Sequence, residues 1–134
     1  MQRPRILLAD SHLGMLEGLR DLLEASVDVI YMVVNEKSLV DAVARAAPDL
    51  IIVDLSMPVA SEANVVRLLR RLRPEIPVIV LSVHDDQAVL HECLAAGAKG
   101  VVLKRTAVID LVPAVETVMK GGNYVSPSIR SAPN

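Results

Sequence analysis

Five short runs of almost unbroken apolar residues constrain this chain more than any other feature. They are ILLA at 6–9, VIYMVV at 29–34, LIIV at 50–53, VIVL at 78–81 and VVL at 101–103. A strand with one wet face alternates apolar and polar residues, because successive side chains point to opposite sides. These runs do not alternate, and Ile and Val are frequent in them, so they read as strands buried on both faces. Such a sheet needs a cover on each side, and the segments between the runs supply it. Leu16, Leu19 and Leu23 recur at helical spacing, as do Leu39, Val43 and Ala47. The same holds for Val65, Leu68, Leu69 and Leu72, for Leu90 and Leu94, and for Leu111, Val115 and Val118. Ser38, Ser61 and the Asp85–Asp86 pair stand where they would cap three of these helices. Pro113 falls in the fifth, which predicts a start near Asp110 that puts proline in the first turn.

Alternating strands and helices imply a parallel sheet covered on both sides, a (βα)5 unit. At 134 residues the expected architecture is α/β and flavodoxin-like, a doubly wound five-stranded parallel sheet in the order 2-1-3-4-5. Hydrophobic residues make up 52% of the chain, but there is no Phe or Trp, so the core is built from aliphatic side chains. One domain over 1–124 accounts for the pattern. The polar, proline-containing stretch 125–134 reads as the start of a linker or C-terminal tail, cut before a further domain.

The bulk chemistry excludes several classes. A net charge of −2 leaves no basic face for nucleic acid. Cys93 is the only cysteine, which rules out an intrachain disulfide and a cysteine-based zinc site. The N-terminus lacks the apolar core of a signal peptide, and no run approaches about 18 apolar residues. A reduced, cytoplasmic protein with no membrane association is expected.

Ligands in such a sheet bind beyond the C-terminal strand ends, at the point where strand order reverses. The residues after the runs are therefore the candidates: Asp10, Ser11 and His12; Asn35 and Glu36; Asp54 to Pro58; Ser82 to Asp86; Lys104 to Thr106. The expected order of strands 1, 3, 4 and 5 gathers Asp10, Asp54, Ser82 and Lys104 into one shallow pocket. Two carboxylates at adjacent strand ends suit a hard divalent cation such as Mg2+, which needs few protein ligands. A carboxylate beside that cation can attack phosphorus, while the metal and a lysine neutralise the phosphoryl oxygens. Ser82 could donate to one of those oxygens. Ser11 reads first as a helix cap, and His12 as a surface residue at the start of the first helix, with a ligand role as the lesser reading. Arg67, Arg70, Arg71 and Arg73 read as a solvated helix face.

The pieces RILLADSH, LIIVDLSMP, VIVLSVHDD and AAGAKGVVLK, in this order and spacing, resemble the receiver domains of two-component response regulators. The likeness runs from about residue 5 to 128. LADSH, LSVHDD and GGNYVSP resemble the LuxR-type (NarL/FixJ-like) subgroup, in which a DNA-binding domain follows the receiver. The resemblance implies a phosphoprotein of a phosphorelay, a signalling module and not a dedicated enzyme. Asp54 would accept a phosphoryl group from a sensor histidine kinase. Asp10 and the backbone carbonyl of Ser56 would join Asp54 in holding Mg2+. Ser82 would be the switch hydroxyl, and Lys104 would bind the phosphate oxygens. Phosphorylation would control homodimerisation or the output of a DNA-binding domain in transcription regulation. DNA would be reached only through that domain, absent from this chain.

Four positions depart from the family pattern. Ser11 replaces the second acid after strand 1, normally a direct metal ligand, which implies a weaker hold on Mg2+. Val101 replaces an aromatic residue, VASEAN replaces a glycine after Met-Pro, and Arg105 follows Lys104 where many relatives have proline. These departures support an alternative, a pseudo-receiver that acts as an interaction module without phosphate. Other flavodoxin-like functions fit less well. DSHLGM has Met15 where a cobalamin motif needs glycine, and no phosphate loop for FMN follows strand 1.

Overall fold

A computed structural model describes residues 3–129. The five apolar runs form β1 (Arg5–Ala9), β2 (Asp28–Val33), β3 (Leu50–Asp54), β4 (Val78–Ser82) and β5 (Gly100–Leu103). The helices between and after them are α1 (Leu13–Leu23), α2 (Glu36–Arg45), α3 (Val65–Leu72), α4 (Gln87–Ala96) and α5 (Ala107–Met119). A short 3-10 turn, Lys104–Thr106, links β5 to α5. The sheet departs from the five-stranded expectation in one respect. Tyr124–Val125 adds a sixth parallel strand, β6, and the order is β2-β1-β3-β4-β5-β6.

The unbroken apolar runs have a direct structural cause. Leu7, Ala9, Ile51, Val53, Val78, Val80, Val101 and Leu103 face a core shared with α2, α3 and α4. Their strand neighbours Ile6, Leu8, Leu50, Ile52, Ile79, Leu81 and Val102 face the core under α1 and α5. Both sides of the pleat are dry, so neither parity can be polar. Polar side chains are expelled to the strand ends.

Local details differ from the sequence reading. Asn35, not Ser38, caps α2: its side chain accepts the Ser38 N–H at 2.9 Å. Asn64, not Ser61, caps α3 by accepting from the Arg67 N–H at 3.0 Å. Asp86 does occupy the N-cap of α4, without a side-chain cap bond. The buried face of α4 carries Cys93 and Ala96, whereas Leu94 is exposed. The α2 stripe is Leu39, Ala42 and Val43, and Ala47 lies exposed beyond the helix. Arg73 is not simply solvated, since its guanidinium donates to the carbonyls of Val43 and Ala46 and ties α3 to the end of α2.

The start of α5 is also earlier than Pro113 predicts. It begins at Ala107, directly after the 3-10 turn, so Pro113 sits within the helix and not in its first turn. Proline has no N–H for the carbonyl of Ile109. Ile109 itself lies on the exposed face of the helix, 74% exposed. At the other end of β5, Gly100 permits a close approach: a Cβ there would lie 2.9 Å from Ile79 Cγ1. Gly97 adopts φ +104° at the C-cap of α4, a left-handed conformation that favours glycine. These two glycines explain the spacing of GAKG.

Residues 124–129 pack onto this frame. The Tyr124 and Ser126 N–H groups donate to the carbonyls of Lys99 and Val101, and Ile129 is buried in the α2–α4 core. The first half of the stretch read as a tail, 125–129, thus packs against the sheet and its core, and 130–134 lies outside the described residues.

Candidate functional site

Asp10 follows β1, Asp54 ends β3, Ser82 ends β4 and Lys104 follows β5, so parallel pairing brings all four to one edge. Asp10, Asp54 and Ser82 are buried. Two buried like charges at neighbouring strand ends require a cation, and Lys104 supplies it. Its Nζ lies 2.9 Å from Asp10 Oδ2 and 3.2 Å from Asp54 Oδ2. Burial works against the ammonium charge. The hydrogen bond to Asp10 and the charges of Asp54 and Asp10 prevail and hold Lys104 above the usual lysine range.

The remaining carboxylate oxygens are engaged locally. The Ser56 hydroxyl donates to both oxygens of Asp54 at 2.9 Å, and the Ser56 N–H reaches Asp54 Oδ1 at 3.0 Å. Asp10 Oδ1 accepts from the His12 N–H at 2.9 Å and meets His12 Nδ1 at 3.1 Å. The Ser82 hydroxyl turns to its own loop, donating to the His84 carbonyl and accepting the His84 N–H, each at 3.0 Å. Ser82 and Asp54 nevertheless line one cavity of about 290 Å³, with Leu55, Ser56, Val83 and His84 on its walls. The Asp54 carboxylate and the Ser82 side chain thus border the same space.

The response regulator receiver domain model matches residues 6–116. The chain belongs to this family. The transcriptional regulatory protein DegU of Brevibacillus brevis is 32% identical over 127 residues, covering 93% of this chain and 54% of that protein. The transcriptional regulatory protein UhpA of Salmonella typhimurium is 33% identical over 126 residues, covering 92% and 63%. The chain thus spans between about half and two thirds of these curated relatives. Among solved structures, the isolated receiver domain of RcsB from Salmonella enterica serovar Typhimurium, determined with the phosphomimetic BeF3−, superposes with a TM-score of 0.87. It shares 27% identity, and 96% of each chain is covered. A LuxR-family response regulator from Aurantimonas sp. gives a TM-score of 0.87 at 26% identity, over 96% of this chain and 93% of that one.

Receiver domains are signalling modules that hold Mg2+ in an acidic pocket, and the donor set here accommodates a divalent cation. Asp10, His12 and Asp54 each offer a ligand atom, and the three atoms lie within 4.8 Å of one another. Ser11, in the place of a family acid, is exposed and brings no carboxylate to the group. Two contributions were not legible from residue order. The hydroxyl of Ser56 reaches Asp54, whereas sequence reasoning points only to its carbonyl. Glu36 pins the loop after β3 by accepting from the Ala60 N–H at 2.7 Å and the Ser61 hydroxyl at 2.8 Å. Those bonds, Ala60 first, hold its carboxyl below the usual glutamate range. The acid-cap position of Glu36 at the start of α2 was the available signal. Among the described residues no helix is long and apolar enough to cross a membrane.

Proposed function

We propose that this domain is the phosphoryl-accepting switch of a cytoplasmic two-component response regulator, with Asp54 as acceptor and a sensor histidine kinase as donor. The observation that carries the reading is the pairing of buried Asp10 and Asp54 through one ammonium, Lys104. An Asp54 oxygen attacks the phosphorus of a phosphohistidine; the P–O bond forms, the P–N bond breaks, and the imidazole leaves with a proton. The Ser56 hydroxyl releases the oxygen that attacks and keeps its bond to the other. Lys104, already 3.2 Å from Asp54, moves onto a phosphoryl oxygen and offsets the added charge. Ser82 exchanges its bond to the His84 carbonyl for one to the phosphoryl group, which shifts the loop after β4. Asp10, Asp54 and the Ser56 carbonyl would hold a divalent cation, Mg2+ in the family pattern, which would supply further neutralisation of those oxygens.

The output we propose is control of homodimerisation and of transcription, through a DNA-binding domain outside residues 1–124 and reached through the stretch from 125 onward. The relatives' names as transcriptional regulators support this. A second reading, a pseudo-receiver that binds partners without phosphate, draws on Ser11 and on Val101, a fully buried aliphatic residue with no ring to reorient. Acetyl phosphate with Mg2+, followed by intact-mass measurement, separates the two. The acceptor reading expects one phosphoryl adduct that disappears in Asp54→Asn. No adduct, or one that survives Asp54→Asn, overturns it and favours the pseudo-receiver.

A further inference from the structure

His12 stands against the pocket without a part in the chemistry above. Its N–H and its ring Nδ1 both meet Asp10 Oδ1, so backbone and side chain alike turn toward the buried carboxylates. The third member of the metal-capable group is therefore an imidazole and not a carboxylate. Ligands around a six-coordinate ion with bonds of about 2.1 Å sit roughly 3 to 4 Å apart. Three donor atoms within 4.8 Å of one another close onto such an ion with small rotations. The ring is 74% exposed, so it can turn without disturbing the core.

We infer that Asp10, His12 and Asp54 form a site for a first-row transition cation, with a ring nitrogen of His12 as ligand, and that Mg2+ is the poorer guest. The inference deepens the cation part of the reading above and rests on it. Two considerations carry it. The first is charge: Lys104 already offsets one of the two carboxylates, and no third acid joins them, so a hard cation held by anionic oxygens meets a depleted field. The second is ligand type. Imidazole nitrogen binds the Co2+ to Zn2+ series well and contributes little to Mg2+, which selects carboxylate, carbonyl and water. Losing the acid at Ser11 weakens the site for Mg2+, and the neighbouring imidazole of His12 keeps it for transition cations.

Calorimetric titration of the full chain with Co2+ and with Mg2+, supported by Co2+ visible absorption, tests this. The wild-type chain is expected to bind Co2+ at least about tenfold more tightly than Mg2+. His12→Ala should lose about tenfold in Co2+ affinity and less than about twofold in Mg2+ affinity. Asp10→Asn should weaken both ions, and undiminished Co2+ binding in that variant would place the ion elsewhere and overturn the assignment. So would a Co2+ affinity indifferent to His12. Acetyl phosphate labelling keeps the two readings apart. An Asp54 adduct with His12-independent Co2+ binding sinks the metal assignment alone; His12-dependent binding without an adduct sinks the acceptor reading alone.

Discussion

A pair of buried carboxylates and a single one are both tied to the end of β5, and they are stabilised in opposite ways. At the sheet edge, Asp10 and Asp54 share one ammonium. Behind it, Asp110 of α5 is surrounded by neutral donors. Its Oδ2 accepts from the Thr106 hydroxyl at 2.6 Å and the Ser126 hydroxyl at 2.7 Å, and its Oδ1 from the Tyr124 hydroxyl at 2.9 Å. Ser126 Oγ in turn accepts the Leu103 N–H at 3.0 Å. Burial alone would raise the Asp110 carboxyl, yet the three hydroxyls hold it below the usual aspartate range. Three fixed dipoles saturate this carboxylate and leave no room for chemistry. A shared ammonium can be pulled away by a better anion, so the pair at the edge can react. On the proposed reading the first cluster is a switch, and the second is a rivet.

The largest effect should come from removing the shared cation. Lys104→Met leaves two buried carboxylates facing each other, and an uncompensated buried charge typically costs about 3 kcal/mol. Urea unfolding at neutral pH should read a loss of that order. Adding Asp54→Asn to Lys104→Met should restore most of it, because one charge alone can be served by neighbouring donors. If the double variant is no more stable than Lys104→Met, then repulsion between the two acids is not what Lys104 relieves.

Much of the switch was legible in the sequence and almost none of the rivet. Burial on both faces leaves an unmistakable mark in runs such as LIIV and VIVL, and parallel order then fixes which strand ends meet. Asp10, Asp54, Ser82 and Lys104 follow from that alone. The caps were misread because Ser38 and Asn35, three residues apart, are both good cap residues, and only backbone geometry decides which accepts. β6 has two residues, too short for a periodic signal, and its anchor Ser126 looks like any polar tail residue. Its burial depends on Asp110, whose partners lie 4, 14 and 16 residues away in sequence. The two longer contacts exist only once the fold has formed.

Asp110→Asn should come next in magnitude. The amide turns donors toward hydroxyls that need an acceptor, and losing charge-assisted bonds of this kind costs about 2 kcal/mol. The pH dependence gives a sharper test. A carboxyl held lower in the folded than in the unfolded state contributes stability that is present above the unfolded value, about 3.9 for aspartate. That contribution disappears as pH falls through the folded value. The gap in unfolding free energy between wild type and Asp110→Asn should therefore be constant from neutral pH down to mildly acidic conditions and shrink only below about pH 4. A gap that stays fixed to the lowest accessible pH would show that shape, not charge, makes the rivet.

Ser126→Ala should have the smallest effect, about 1.5 kcal/mol. It removes one of three donors to Asp110 and leaves the Leu103 N–H without its side-chain acceptor. Because Leu103 immediately precedes Lys104, the substitution also asks whether the two clusters are mechanically joined. With independent clusters, the cost of Lys104→Met should be the same in the Ser126→Ala background as in the wild type. A departure from additivity beyond about 0.5 kcal/mol would mean that the rivet sets the position of the lysine. The contrast between reactive and saturated carboxylates would then describe two ends of one device.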